Sequence, residues 1–219
     1  MANPRGCLSN NSCFRCNFCC VFTTTFISFF VFFFSALIFW ISFSPLAVKF
    51  YVTEATLTQF NFTTANTTLN YNLTLTIVVR NPNRKISISY DDVKALAYYG
   101  NLWFDTVSLP PFHQGHKNTT VLQLEFEGQE SVSLDDRKLS KLNSEKKAGV
   151  YNIDIDLKFR IAPKFGKIKT GHYHHTVACE LKVPLSSNGT SAGGFTRTKC
   201  WGGSFFLQKD QDGNSFSFG

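Results

Sequence analysis

A chain of 219 residues has room for one or two domains. Its 22 basic and 15 acidic side chains leave a net charge of +7, too small and too dispersed to mark a nucleic-acid binder. The composition is uneven, because no charged residue lies between Cys16 and Val48.

That gap contains the first predicted element. Residues 1–20 read as a short Cys-bearing tail, and the run from Val21 to Phe43 is dense in Phe with no Gly, Pro or charge. About 20 apolar residues cross a bilayer core as a helix, so a single transmembrane helix is predicted over residues 21–44, embedded in the lipid bilayer. Its Thr and Ser hydroxyls can return to helix carbonyls, and Pro45 ends it. A secretory signal peptide fits less well: the run exceeds the roughly 7–15 residues of such a segment, and no small-x-small cleavage site follows. Arg5 and Arg15 precede the helix, and Lys49 with Glu54 follows it. The positive-inside rule then favours a cytosolic N-terminus.

Cysteines and glycosylation acceptors agree with that orientation. Cys7, Cys13, Cys16, Cys19 and Cys20 precede the helix, and Cys16, Cys19 and Cys20 are candidates for S-palmitoylation beside a membrane. The Cys-x-x-Cys spacing of Cys13 and Cys16 also suits zinc, but a second well-separated ligand pair is missing. Cys179 and Cys200 follow the helix and are able to pair in an oxidising compartment. Asn61, Asn66, Asn72, Asn118 and Asn188 each begin an Asn-x-Thr acceptor beyond the helix, whereas Asn10 begins Asn-x-Ser before it. On this topology the outer part carries twenty basic against fifteen acidic residues, a balance suited to an anionic partner such as acidic polysaccharide.

Residues 47–207 alternate with period two, the signature of half-buried strands. Leu73, Leu75, Ile77 and Val79 share one face, and Ile86, Ile88 and Tyr90 continue the pattern. Between these runs, Asn81-Pro82-Asn83 is expected to form a hairpin turn with Asn83 in the left-handed region, ringed by Arg80, Arg84 and Lys85 as candidate basic contacts. Gly100-Asn101 separates two further strands. Leu122, Leu124 and Phe126 oppose Glu125 and Glu127. Ile153, Ile155, Leu157, Phe159 and Ile161 oppose Asp154, Asp156, Lys158 and Arg160. Val177, Cys179, Leu181 and Val183 form a last apolar stripe. One segment differs: Ser133 as N-cap, early acids, late lysines and Gly149 predict a short helix whose Leu134, Leu139 and Leu142 cover a sheet edge. The fold class is therefore all-β, an antiparallel β-sandwich of about seven strands and one short helix, behind one transmembrane helix. Residues 208–219 read as a flexible polar tail without a hydrophobic anchor signal.

Chemistry-bearing motifs are sparse. The chain has no phosphate-binding Gly loop, no dinucleotide-binding glycine pattern, no Gly-x-Ser-x-Gly and no His-Glu-x-x-His. His172 and His174 would share a strand face, but no carboxylate is adjacent in sequence. Most acids fall on wet strand faces or in the helix, where solvated surface is the ordinary reading. Neither an enzyme nor a cofactor is expected.

Two stretches resemble a known family. Asn81 to Asp92, "NPNRKISISYDD", is similar to the Asn-Pro-Asn…Tyr-Asp signature of plant harpin-induced-like membrane proteins. Leu109 to Thr120, "LPPFHQGHKNTT", resembles that family's Pro-x-Phe-x-Gln segment running into Asn-Thr-Thr. Cys179 and Cys200 match its C-terminal cysteine pair. The resemblance implies a late-embryogenesis-abundant group 2 β-sandwich, plasma-membrane residence with plasmodesmata in some members, and a role in plant immunity and stress without catalysis. Protein partners, wall contacts or a homo-oligomer are all compatible with it. A stress-protective or lipid-contacting domain is the second reading. Asn81, Pro82, Asn83, Tyr90 and Asp91 transfer as markers of the fold, since the resemblance supplies no ligand.

Overall fold

The computed structural model describes residues 10–43, 46–65, 67–169, 171–186 and 194–202. It divides into two units, Met1–Ser44 and Pro45–Gly219.

The first unit holds helix α1 (Asn10–Phe43). Within it Val21–Ile41 is long and apolar enough to cross a membrane, spanning roughly 31 Å at helical rise. Its polar side chains bond within the helix: the Thr25 hydroxyl donates to the Val21 carbonyl at 2.8 Å and the Ser35 hydroxyl to the Phe32 carbonyl at 2.8 Å. This removes much of the penalty for placing hydroxyls in hydrocarbon.

The second unit is an antiparallel β-sandwich. Its strands are β1 (Lys49–Thr63), β2 (Thr68–Arg80), β3 (Ile86–Tyr99), β4 (Leu102–Leu109), β5 (Phe112–Gln114) and β6 (Thr119–Ser131). After helix α2 (Asp136–Ala148) come β7 (Val150–Phe165), β8 (Ile168–Lys169), β9 (Tyr173–Pro184) and β10 (Thr198–Lys199). One sheet runs β10-β1-β2-β6. The other places β4 and β5 along one side of β3 and β7 along its other side, with β8 and β9 beyond β7. Three of the ten strands are too short to leave an alternation signal; of the seven longer ones, six carry the runs singled out in the sequence, and β1 is not among them.

The alternation decides what is buried. Leu73, Leu75, Ile77 and Val79 of β2 and Ile153, Ile155, Leu157 and Ile161 of β7 are fully inside one core. Aromatic groups fill it at both ends. Phe60 meets Tyr99 and Tyr151 at ring distances of 5.3 and 4.9 Å, while Tyr90 meets Phe159 at 5.4 Å. Such pairs add about 1 kcal/mol each beyond their buried area. Gly100 and Asn101, both at positive φ, make the two-residue turn between β3 and β4.

Three local expectations are corrected. The Asn81–Lys85 connection is not a hairpin, because β2 pairs β1 and β6 while β3 pairs β4, β5 and β7. The chain crosses from one sheet to the other there, and Asn83 is not among the residues at positive φ. The N-cap of α2 is Asp135, whose carboxylate accepts from the Lys138 amide at 2.8 Å; Ser133 lies outside the helix. Leu134 and Leu139 then occupy the N′ and N4 positions of a hydrophobic staple, both half-buried, which a cap at Ser133 would not allow. Finally, "ISISY" and "VKALAYY" form one strand, β3, with a register irregularity between Tyr90 and Val93. Asp91 and Asp92 are both exposed at that bulge, and the alternation restarts after it.

Candidate functional site

The sheet crossover has a polar interior. Asn81 is fully buried between two sheets, where an unpaired amide would be costly. Its Nδ2 donates to the Ile86 carbonyl at 2.8 Å and the Gly115 carbonyl at 3.0 Å. Its Oδ1 accepts from the Asn83 amide N–H at 3.0 Å and from Asn83 Nδ2 at 2.9 Å. Asn83 in turn clasps Leu46 in both directions. Its Nδ2 donates to the Leu46 carbonyl at 2.8 Å, and its Oδ1 accepts from the Leu46 amide at 2.7 Å. Leu46 is the third residue after the end of α1, so this motif holds the point where the chain enters the domain.

The second quoted stretch closes the same end. Gln114 is fully buried; its Nε2 donates to the Val79 carbonyl at 2.8 Å, and its Oε1 accepts the Tyr90 hydroxyl at 3.4 Å. Phe112 stacks on Tyr90 with ring centroids 4.4 Å apart. The Asn118 carbonyl accepts from the Asn81 amide at 2.9 Å, and the Lys117 amide donates to the Asn83 carbonyl at 2.9 Å. Burial pushes the Tyr90 hydroxyl far above its ordinary range, so it stays a neutral donor. Every signature side chain named here is thus engaged in holding two sheets and an entry strand together. Asp91 points outward and faces His172, with Nε2 3.2 Å from Oδ2, a contact unseen in sequence because the two lie on β3 and just before β9.

The family model described as late embryogenesis abundant protein matches residues 76–192, which include both stretches. NDR1/HIN1-like protein 10 of Arabidopsis thaliana is 47% identical over 159 residues, covering 72% of this chain and 70% of its own. The chain belongs to the NDR1/HIN1-like family and carries a late embryogenesis abundant domain. NDR1/HIN1-like protein 3 of the same plant is 44% identical over 167 residues, covering 76% of this chain and 72% of its own. A solution structure of another Arabidopsis thaliana protein covers 66% of this chain and 87% of its own at 14% identity and a TM-score of 0.35; the sheet pairing above defines the fold without it. This is a plant stress- and defence-related family, not one known for enzymatic activity.

The remaining candidates fall in different places. Arg80, Arg84 and Lys85 are exposed at the crossover, and Arg80 Nη1 donates to the Thr119 hydroxyl at 2.9 Å. The structure brings further cations to that end which sequence reading missed: Lys49 pairs with Arg80 across strands, Lys117 sits against Asn83, and Lys164 pairs with Ser87. Strand pairing reveals Lys49 and Lys164, and a loop hydrogen bond reveals Lys117. Cys179 and Cys200 form a disulfide with Cα atoms 4.4 Å apart. It ties the segment that pairs with Phe50 and Tyr51 of β1 on one side and Ala178 of β9 on the other. Asn61 and Asn118 are exposed and Asn72 is half-buried, while Asn66 and Asn188 lie outside the described residues, as do residues 208–219 and the side chains of Cys16, Cys19 and Cys20. Among the described residues no three His, Cys, Asp or Glu side chains gather as metal ligands. His172 and His174 are both exposed, whereas His175 is buried, and burial lowers its pKa below the usual imidazole value.

Proposed function

We propose that this protein is a non-enzymatic, single-pass plasma-membrane member of its family, acting in plant defence and stress through protein or cell-wall contacts of an extracellular domain. The observation that carries this reading is the use of the signature residues. Asn81, Asn83, Tyr90 and Gln114 spend their polar atoms on one another and on backbone. What that end presents outward is a cationic rim, Lys49, Arg80, Arg84, Lys85 and Lys117. A rim of this kind suits an anionic surface, whose capture it would steer in a salt-dependent way. An uncleaved helix α1 would anchor the domain, with the N-terminus cytosolic, and residence at plasmodesmata accords with the family likeness. The acceptors Asn61, Asn66, Asn72, Asn118 and Asn188 support an outward domain, and acylation of Cys16, Cys19 and Cys20 would reinforce the anchor.

Two measurements test this. Endoglycosidase treatment of protein expressed in plant cells should increase its gel mobility; no shift with intact acceptors places the domain in the cytosol and removes the wall-contact reading. Proximity labelling should then recover extracellular or receptor-like partners, and Arg84→Glu with Lys85→Glu should deplete them. The second reading, a stress-protective domain contacting lipid, predicts liposome binding by the full chain's outer domain that survives those charge reversals.

A further inference from the structure

The outer face of the six-stranded sheet is not used by the polar lock or the basic end. Register places Trp103 beside Tyr98, Tyr98 beside Asp154, and Asp154 beside Glu180. The next row runs Thr106, Leu96, Asp156, Ala178 and Trp201. Trp103 is 47% and Trp201 67% exposed. Four strand spacings separate them, roughly 19 Å.

The Trp103 ring and the Trp201 backbone are held in place. Trp103 Nε1 donates to the Thr106 hydroxyl at 2.8 Å. Trp201 exchanges backbone hydrogen bonds with Ala178 at 2.8 and 2.9 Å, and its neighbour Cys200 is turned into the core by the bond to Cys179. The Lys199 ammonium lies 5.7 Å from the Trp201 ring centre. Between the rings stand two half-buried carboxylates. Burial raises the pKa of Asp154, with Glu180 adding to it, and burial raises that of Asp156 against the opposing pull of Lys158. One exposed Trp is ordinary on a protein surface. Two exposed rings bracketing half-buried carboxylates on one sheet face form an apolar–acceptor–apolar strip.

Among the described residues, the glycosylation acceptors avoid this strip. Asn61 and Asn72 lie on outward positions of β1 and β2 in the other sheet, and Asn118 lies in the loop before β6. Sugars on Asn61 and Asn72 would cover the other sheet, and one on Asn118 the crossover end.

We propose that the outer face of the six-stranded sheet binds a neutral, extended polysaccharide chain, stacked on Trp103 and Trp201 with Asp154 and Asp156 accepting its hydroxyls. A sugar ring is apolar on its C–H faces and polar around its rim, so it needs rings beneath and acceptors beside it. An apolar helix or a lipid surface would need a contiguous apolar patch, and here the carboxylates interrupt it, with Tyr98 and Leu96 on their Trp103 side and only Ala178 on their Trp201 side. A uronic-acid polymer would place its carboxylates against Asp154 and Asp156. The inference rests on the wall-contact reading and names a different polymer from the acidic one that suits the basic end.

The test uses the full chain in lipid nanodiscs, with a cellulose-derived and a mannan-derived hexasaccharide as neutral probes and an oligogalacturonide as the acidic one. A neutral probe should bind and shift the intrinsic Trp fluorescence. Trp103→Ala and Trp201→Ala should each weaken it about tenfold or more, the usual loss at a Trp hot spot. Trp103→Phe and Trp201→Phe, which keep a ring, should retain part of the affinity with unchanged thermal unfolding. The double change Asp154→Asn and Asp156→Asn should weaken binding without unfolding the domain. Failure of both neutral probes, or binding that survives loss of both Trp rings, overturns the proposal. Oligogalacturonide binding alone, abolished by Arg84→Glu with Lys85→Glu, would overturn it while upholding wall contact. No binding of any of the three probes would overturn it and count against the wall-contact reading as well.

Discussion

Asn83 offers one carbonyl oxygen and two N–H donors, and all three are used inside the domain. Asn83→Ala should therefore lower stability by about 1–3 kcal/mol, the cost of stranding buried polar partners, read as a lower denaturation midpoint with unchanged slope. A turn residue in a hairpin would show far less. His175 gives the other residue-scale expectation. Burial lowers its folded pKa, and the Gly202 backbone hydrogen bond opposes that only in part. The unfolded chain then binds the extra proton more readily, so stability is fully present above about pH 6.5 and is lost as pH falls through the lower folded value. His175→Gln should flatten the pH dependence of the unfolding midpoint in that window; an unchanged slope would reject the assignment.

At the scale of elements, local chemistry was legible where the deciding contacts are local. Gly100-Asn101 reads as a two-residue turn because both positions need positive φ, and they have it. The apolar stripes of β2, β6, β7 and β9 read directly from alternation. The cap of α2 misled because Ser133 and Asp135 both qualify by residue type; the Asp135 carboxylate takes the Lys138 amide, with Leu134 and Leu139 half-buried at the flanking positions. Asp135→Ala should cost about 1 kcal/mol of domain stability, measured by thermal unfolding, while Ser133→Ala should be nearly neutral. The Asn81–Lys85 connection misled for a deeper reason. Two apolar strands joined by five residues make a hairpin or a sheet crossover with the same local sequence, and the choice lies in pairings with β1, β6, β5 and β7.

For the whole molecule, the disulfide is the main covalent constraint among the described residues. Cys179 and Cys200 are 21 residues apart, which corresponds to about 3 kcal/mol of chain entropy removed from the unfolded state. Cys179→Ser with Cys200→Ser should lower stability by that order and loosen the β10 segment first, seen as faster amide exchange near Lys199 and Trp201 than in β7. Equal protection in both places would show that backbone pairing alone holds the segment. The same segment carries Trp201 to the outer sheet face, so the double variant should also weaken any ligand held there.

The apolar helix, most of the alternating strands, the Gly-Asn turn and the family signatures are legible in the chain alone, because each depends on residues close together in it. Tertiary structure decided what the signatures are for. Asn81 meets Gly115, Asn83 meets Leu46, and Gln114 meets Tyr90 and Val79 only after the sheets pair. The basic end and the Trp103–Trp201 face likewise assemble from strands far apart in sequence. Side-chain alternation tells which face of a strand is wet; it does not tell which strands lie side by side, and a surface site is made of neighbours across strands.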